Sequence, residues 1–386
     1  MEIEGWMTKR LCEICNIESG KAHEPFIHQY GEFICVTSKF ISSEGSSHRN
    51  CYENLKPAKE NDILMVLSDL PNGRALAKCL IVGQKDDGRF AVNQRIGHLK
   101  PTKIHPKILY YLLNRNRYFL EFDDGVNQTN LSNKSIENCP LTFPSSLIEQ
   151  QAIAEALSDT DALISTLEKL IEKKEMIFDA IQEKKLNGLC ASNYSKYSLD
   201  ELAIIDPDNL SANTDPEFYF EYISLEAVSG GQLLSLQSMR FSEAPSRARR
   251  KMKEGDVLFG TVRPNLKSHY FNRSNSDNLI CSTGFCVIRP KKNIFNGYFL
   301  FRHLMSGSFD TQINKIIAGS NYPAVSSGDV RKLRISVPDI SLQNEISAEL
   351  EDFESEIIKL KTQLLKAKKV KAGMMQELLT GRTRLI

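Results

Sequence analysis

Apolar residues follow two distinct periods along this chain of 386 residues. Short continuous apolar runs bounded by turn residues, as in NDILMVLSD at 61–69 and GDVLFGTVR at 255–263, predict brief buried strands. Two longer stretches, 145–188 and 339–386, place apolar residues at alternating steps of four and three, the period of a helix with a heptad seam. In the first stretch the seam is Ile153, Leu157, Thr160, Ile164, Leu167, Ile171, Lys174, Phe178, Ile181 and Lys185. Ser146 and Glu149 form a capping-box pattern at its start, just after Pro144.

These two stretches are copies of one another. Pro144 matches Pro338 at an offset of 194; the offset then slips to 193 and carries Ile153, Leu157, Ile164, Leu167, Ile171 and Gly188 onto Ile346, Leu350, Ile357, Leu360, Leu364 and Gly381. A polar or small seam residue in one copy usually meets a larger apolar one at the equivalent position of the other, as with Thr160 and Phe353, Lys185 and Leu378, and Lys371 and Phe178. Intrachain packing of the two helices, docking of each on its own domain, and a homodimer zipper all fit. The matched registers favour the first. At about 1.5 Å per residue each helix would span on the order of 50–60 Å.

The segments before each helix also correspond. Asn93-Gln94-Arg95 with Lys100-Pro101 aligns with Ser282-Thr283-Gly284 with Arg289-Pro290, and Gly125-Val126-Asn127 aligns with Gly319-Ser320-Asn321. Strands, short helices and polar loops are mixed. The expected fold is therefore α+β: two pseudo-repeated globular recognition domains (1–144 and 189–338) separated by two long antiparallel coiled-coil spacer helices (145–188 and 339–386).

Composition narrows the function. A charged fraction of 25% and an apolar fraction of 41% are ordinary for a globular protein, and a net charge of +1 argues against a non-specific DNA coat. No apolar run approaches a membrane span and the first residues lack a signal-peptide layout, so a cytoplasmic location is expected, with reduced cysteines. Cys12 and Cys15 have C-x-x-C spacing with His23 and His28 downstream. Their repeat counterparts are Asp200 and Ala203, so a small-residue role is favoured over zinc. A phosphate-binding P-loop, a G-x-G-x-x-G after a strand, H-E-x-x-H, G-x-S-x-G and the Asn/Asp-Pro-Pro-Tyr tetrapeptide of amino-methyltransferases are all missing. No catalytic residue, metal or cofactor is expected.

Charge is unevenly distributed. Residues 73–120 hold ten Lys or Arg against Asp86 and Asp87, and residues 239–273 hold nine against three acids, whereas 149–185 carries nine acids and five lysines. One basic patch per globular part is the layout of a bipartite DNA reader. The candidate DNA contacts are Arg74, Lys78, Gln94, Arg95, Asn127 and Gln128 in the first domain. In the second they are Arg247, Arg249, Arg250, Arg263, Asn265, Lys267, Asn321 and Tyr322. These residues join phosphate-seeking cations to amides able to read base edges.

The sequence resembles the specificity subunits of Type I restriction–modification systems. The resemblance rests on PSSLIEQQAIA (144–154), the endings KLNG188 and LLTG381R, and the tracts GDVLFGTVRPNL (255–266) and GSNYPAVSSGDVRKLRISVP (319–338). It implies two recognition domains reading the halves of a split site in double-stranded DNA, with two helical regions setting their spacing. It further implies docking of two modification (methyltransferase) subunits and of ATP-dependent restriction subunits, with no chemistry in this chain. The alternative is a stand-alone coiled-coil DNA-binding or scaffold protein.

Overall fold

The structure, a computed structural model, describes residues 3–71, 73–186, 194–317 and 323–385. Gly188, Asn321 and Tyr322 therefore lie outside the described residues. The chain forms two compact units, Met1–Leu167 with Gln363–Ile386, and Glu168–Thr362.

In the first unit, strand Trp6–Arg10 pairs antiparallel with Pro140–Pro144. A one-turn helix, Leu11–Ile14, leads into a four-stranded antiparallel sheet ordered Cys15–Ser19, Ile96–Pro101, Ile63–Val66, Cys79–Ile81. A three-stranded sheet, Arg49–Cys51, Phe33–Val36, Phe90–Val92, packs beside it, its last two strands parallel. The run Ile63–Val66 is continuously apolar because both of its faces are covered. Ile63 and Met65 join helix residues Ile108, Leu109 and Leu113, while Leu64 and Val66 join Phe40, Phe90 and Val92.

The second unit repeats this plan. Ser195–Ser198 pairs with Arg334–Val337, and a one-turn helix, Leu199–Leu202, precedes the sheet Ala203–Ile205, Phe285–Pro290, Val257–Gly260, Tyr270–Phe271. Tyr219–Ile223 and Leu279–Ser282 form the parallel pair. Val257 and Phe259 face one core, Leu258 the other. Even the side-chain support repeats: Asp62 accepts the Lys59 amide and Asp256 that of Lys253, each at 2.8 Å. What Asp62 and Asp256 hold then differs. Asp62 bonds His98 (2.6 Å), and Asp256 bonds Arg289 (2.8 Å).

The long helices run Leu147–Leu186 and Ile340–Leu378. Every seam position of both is buried or half-buried. Within the first unit Thr160 lies 3.4 Å from Met374 Sδ and Asp161 pairs with Lys371; within the second Lys174 meets Glu356 (2.8 Å), Phe178 meets Phe353 (5.8 Å) and Lys185 meets Glu349. Numbers rise on one helix as they fall on the other, so the pairing is antiparallel and intrachain. The small-for-large complementarity expected from the repeat does not operate across this seam. Antiparallel packing places repeat equivalents away from each other, and Phe178 meets another phenylalanine.

The helix starts carry the least expected feature. Gln150 is buried; its Oε1 accepts the His105 amide (2.8 Å) and its Nε2 donates to the Pro144 carbonyl (2.7 Å). Gln343, at the repeat offset of 193, accepts the Asn296 amide (2.9 Å) and donates to the Pro338 carbonyl (2.9 Å). The capping box at Ser146 is only half formed. Ser146 Oγ accepts the Glu149 amide at 3.5 Å, but the buried Glu149 carboxylate goes to Arg384 instead (2.8 Å), since an ion pair outbids a solvent-facing cap. A second repeated bond follows along each helix: Tyr111 donates to Asp161 (2.7 Å) and Tyr298 to Glu354 (2.9 Å).

Replacing Gln150 or Gln343 with Leu strands a backbone N–H and a carbonyl, at a cost of about 1–3 kcal/mol in either case. Urea unfolding of each variant measures the loss; a midpoint unmoved in both would contradict the bracket.

Candidate nucleic-acid interface

Three segments meet at one edge of each domain. In the first, the Leu67 amide donates to the Arg95 carbonyl (3.1 Å) and the Leu131 amide to the Leu67 carbonyl (2.8 Å), while Ser68–Asp69 pairs with Thr129–Asn130. The loop after Ser68–Asp69, the turn 93–95 and the loop before Thr129 thus share an edge. They carry Arg74 and Lys78, Gln94 and Arg95, and Asn127 and Gln128. In the second domain the Thr261 amide donates to the Gly284 carbonyl (2.9 Å), the Val325 amide to the Thr261 carbonyl (2.9 Å) and the Arg263 amide to the Pro323 carbonyl (2.8 Å). The edge is the same construction with different residues.

Local chemistry fixes each loop. The Asp69 carboxylate accepts the amides of Leu70 (2.9 Å), Ala75 (2.6 Å) and Leu76 (3.1 Å), curling the loop that presents exposed Arg74. Asp124 does the same for Val126 (2.9 Å) and Asn127 (2.8 Å), which holds its carboxyl down near 2. The Asn127 side chain also donates to Asp124 (2.9 Å); Asn127 and Gln128 are exposed. Gln94 and Arg95, expected at a strand edge, form the exposed turn between Phe90–Val92 and Ile96–Pro101. In the second domain Arg263 and Lys267 have left-handed backbones (φ 49° and 52°), bracketing a single turn, Pro264–Leu266, that exposes Asn265.

Not every candidate cation is free to reach outward. Lys78 bonds the Ser42 carbonyl (3.2 Å) and Glu44 (3.1 Å). Lys267 bonds the Met305 carbonyl and Asp310, each at 2.9 Å. Arg250 is ion-paired with Asp206, and Arg249 lies 4.9 Å from the Phe241 ring. Arg247 is exposed, and its carbonyl accepts the Thr283 amide (2.8 Å), which sets it beside the turn equivalent to Gln94. Sequence reasoning had no signal separating Arg247 from Arg250, because pairing with Asp206 is a long-range event. It also missed Glu24, whose carboxylate accepts from Asn93 Nδ2 (3.0 Å) beside Gln94.

The remaining polar chemistry is of a supporting kind. Burial pushes the Cys15 thiol up to about 12, Cys12 is exposed, and His23 bonds the Lys21 carbonyl (2.8 Å) and the Leu55 amide (3.0 Å) with its two ring nitrogens. Among the described residues no helix is long and apolar enough to cross a membrane, and no three His, Cys, Asp or Glu side chains are grouped to hold a metal ion.

Two copies of an α+β domain, each with a three-segment loop edge and each braced against an antiparallel helix pair, define a tandem recognition architecture. A model of the Type I restriction modification DNA specificity domain matches residues 3–176 and again 194–367, and the chain belongs to that family. The HindI specificity subunit of Haemophilus influenzae is 29% identical over 158 residues, which is 40% of this chain and 34% of that one. The MjaVIII specificity subunit of Methanocaldococcus jannaschii is 24% identical over 307 residues, 72% and 70% of the two chains. The match thus spans about a third of the Haemophilus relative and about seven-tenths of the archaeal one. The crystal structure of a Type-I restriction-modification system S subunit from M. genitalium has the same fold, with a TM-score of 0.67 at 15% identity over 97% of this chain and 96% of that one. A structure titled for complex assembly and conformational transition of the type I R-M system has a TM-score of 0.55 at 14% identity, covering 98% of both chains.

Behind the second edge, His269 is buried, stacks on Phe259 (4.6 Å) and accepts the Gly260 amide (3.1 Å). Burial disfavours its charged form and lowers it to about 3; His303, also buried, is lowered to about 4. Both folded values lie below the unfolded value of about 6.5, so the unfolded chain binds protons first on acidification. Their contribution is whole above about pH 6.5 and is lost as pH falls below that value towards the folded ones. Unfolding free energies of the wild type and of His269→Gln, measured between pH 7 and 4.5, should converge as pH falls. Parallel curves would contradict the assignment.

Proposed function

We propose that this chain is the sequence-reading subunit of a Type I restriction–modification complex. Each recognition domain reads one half of a split site in double-stranded DNA through its three-segment edge. The observation that supports this most directly is that one backbone construction occurs twice while its side chains differ: Asn93-Gln94-Arg95 in one copy, Ser282-Thr283-Gly284 in the other. A shared scaffold with different edges suits two different half-sites.

In this reading Arg74, Gln94, Arg95, Asn127, Gln128, Arg247, Arg263 and Asn265 are the contacts from the described loops. Lys78, Arg249, Arg250 and Lys267 chiefly hold the loops in place, and Asn321 and Tyr322 are two further candidate contacts of the second domain. The recognition domains occupy 1–144 and 189–338, and the helices of 145–188 and 339–386 act as the spacer. Two modification subunits and ATP-dependent restriction subunits dock on the assembly and supply the methylation, translocation and cleavage, so this chain is non-catalytic and works in the cytoplasm.

Inserting one heptad in each long helix should add about 10 Å, or about three base pairs, to the permitted spacer while leaving both half-sites unchanged. Mapping adenine methylation in cells carrying the altered gene reads this out. Altered half-sites with the old spacing would exclude the spacer role. Separately, Arg95→Ala and Arg247→Ala should each flatten the salt dependence of duplex binding by about one unit of slope if they neutralise a phosphate. A slope unchanged in both would remove them from the interface.

A further inference from the structure

The first domain has a polar cleft of about 290 Å³ that includes Glu24, Lys39, Arg49, Asn93, Gln94 and Arg95 in its lining. Gln94 and Arg95 connect it to the loop edge described above, so the cleft opens where that domain is proposed to meet DNA. Its charge is unusual for such a place. Three cations suit a phosphate backbone, but Glu24 adds a carboxylate that repels it.

That carboxylate is deliberately held. Asn93 is buried, and its Nδ2 donates to Glu24 Oε1 at 3.0 Å. Asn93 Oδ1 in turn accepts from the Arg95 amide at 3.5 Å, so one side chain fixes both the acid and the turn bearing Gln94 and Arg95. Glu24 itself is exposed, and its carboxyl is lowered by the Asn93 bond, so it remains an anion at neutral pH. An ionised carboxylate is an acceptor only and keeps further acceptor sites after one bond is made. On a DNA surface the partners that reward such a group are exocyclic base amines in the major groove, and cytosine N4 is the one that Glu and Asp characteristically accept from.

We propose that Glu24 is a specificity-determining residue that accepts a hydrogen bond from a cytosine amino group in the half-site read by the first domain. Lys39, Arg49 and Arg95 offset its repulsion from the flanking phosphates. The second domain places Ser282, whose hydroxyl accepts the Gly284 amide (3.1 Å), where the first has Asn93, so it lacks this support for a carboxylate. The cytosine contact therefore belongs to one half-site only.

This inference rests on the DNA-reading function proposed above, and its test separates the two. The full-length chain and its Glu24→Gln variant are each used to select duplexes from a library randomised across both half-sites. Selection of no split site by the wild type would overturn the function itself. Given a selected site, the wild type should show one cytosine position in one half-site at which Glu24→Gln loses about tenfold or more of its discrimination. The other half-site serves as an internal control of folding and should be unchanged. Affinity of the variant for non-specific duplex should hold or rise, because a negative charge has been removed, whereas a merely structural role would lower it. Unchanged preference at every position, or a loss spread evenly over the half-site, would overturn the role of Glu24.

Discussion

The side-chain amide of Gln150 is clamped between two backbone groups, the amide at the start of a domain helix and the carbonyl of Pro144, the last residue of the strand that precedes the first long helix. Gln343 makes the same two bonds in the second copy. A primary amide can accept from one stretch of backbone and donate to another from a single planar group. Burying it makes both bonds obligatory, because either unsatisfied backbone group would cost more than the bond is worth in water. These bonds act with the packing of Ile153, Ala154 and Leu157 into the first core, and of Ile346 and Leu350 into the second, to hold the start of each long helix on its domain. The seam and the tyrosine–carboxylate bonds lie further along the same helices.

Downstream of the bracket, the two copies keep the geometry and vary the partners. Tyr111 and Tyr298 reach carboxylates at equivalent places, Asp161 and Glu354, but the second copy adds a buried arginine. Arg302 bonds Gln182 (2.7 Å) and Glu354 (3.2 Å) and covers the Phe178 ring at 4.5 Å. The first copy instead pairs Asp161 with Lys371. A buried guanidinium needs several acceptors and an aromatic face to offset its desolvation. The second unit provides both, and the partly exposed ion pairs along the seam, which water still screens, contribute less.

How much of this was written legibly in the chain depends on the range of the interaction. Local periodicity disclosed the helices, since seam burial is a one-dimensional pattern, and continuous apolar runs disclosed the central strands Ile63–Val66 and Val257–Gly260. The correspondence of Leu11–Ile17 with Leu199–Ile205 also emerged from sequence, and in the structure both are a one-turn helix followed by a strand. Long-range polar pairing did not. Nothing near Glu149 announces Arg384, and nothing near Arg250 announces Asp206. Gln150 and Gln343 could have been found: they are identical polar residues at the repeat offset, beside apolar positions that set the register. Glu24 could not, because its meaning comes from Asn93, which is distant in sequence and adjacent only in the fold.

The pairing of Trp6–Arg10 with Pro140–Pro144, and of Ser195–Ser198 with Arg334–Val337, places the entrance and exit of each domain on neighbouring strands. Each domain is consequently a cassette with a two-strand doorway. Insertions, deletions or exchange of the residues between the door strands leave the helix that follows in place provided that the backbone bonded by Gln150 or Gln343 and the tyrosine that reaches the helix are kept. Each domain can thus vary at its loop edge while the strands that join it to the long helices stay the same.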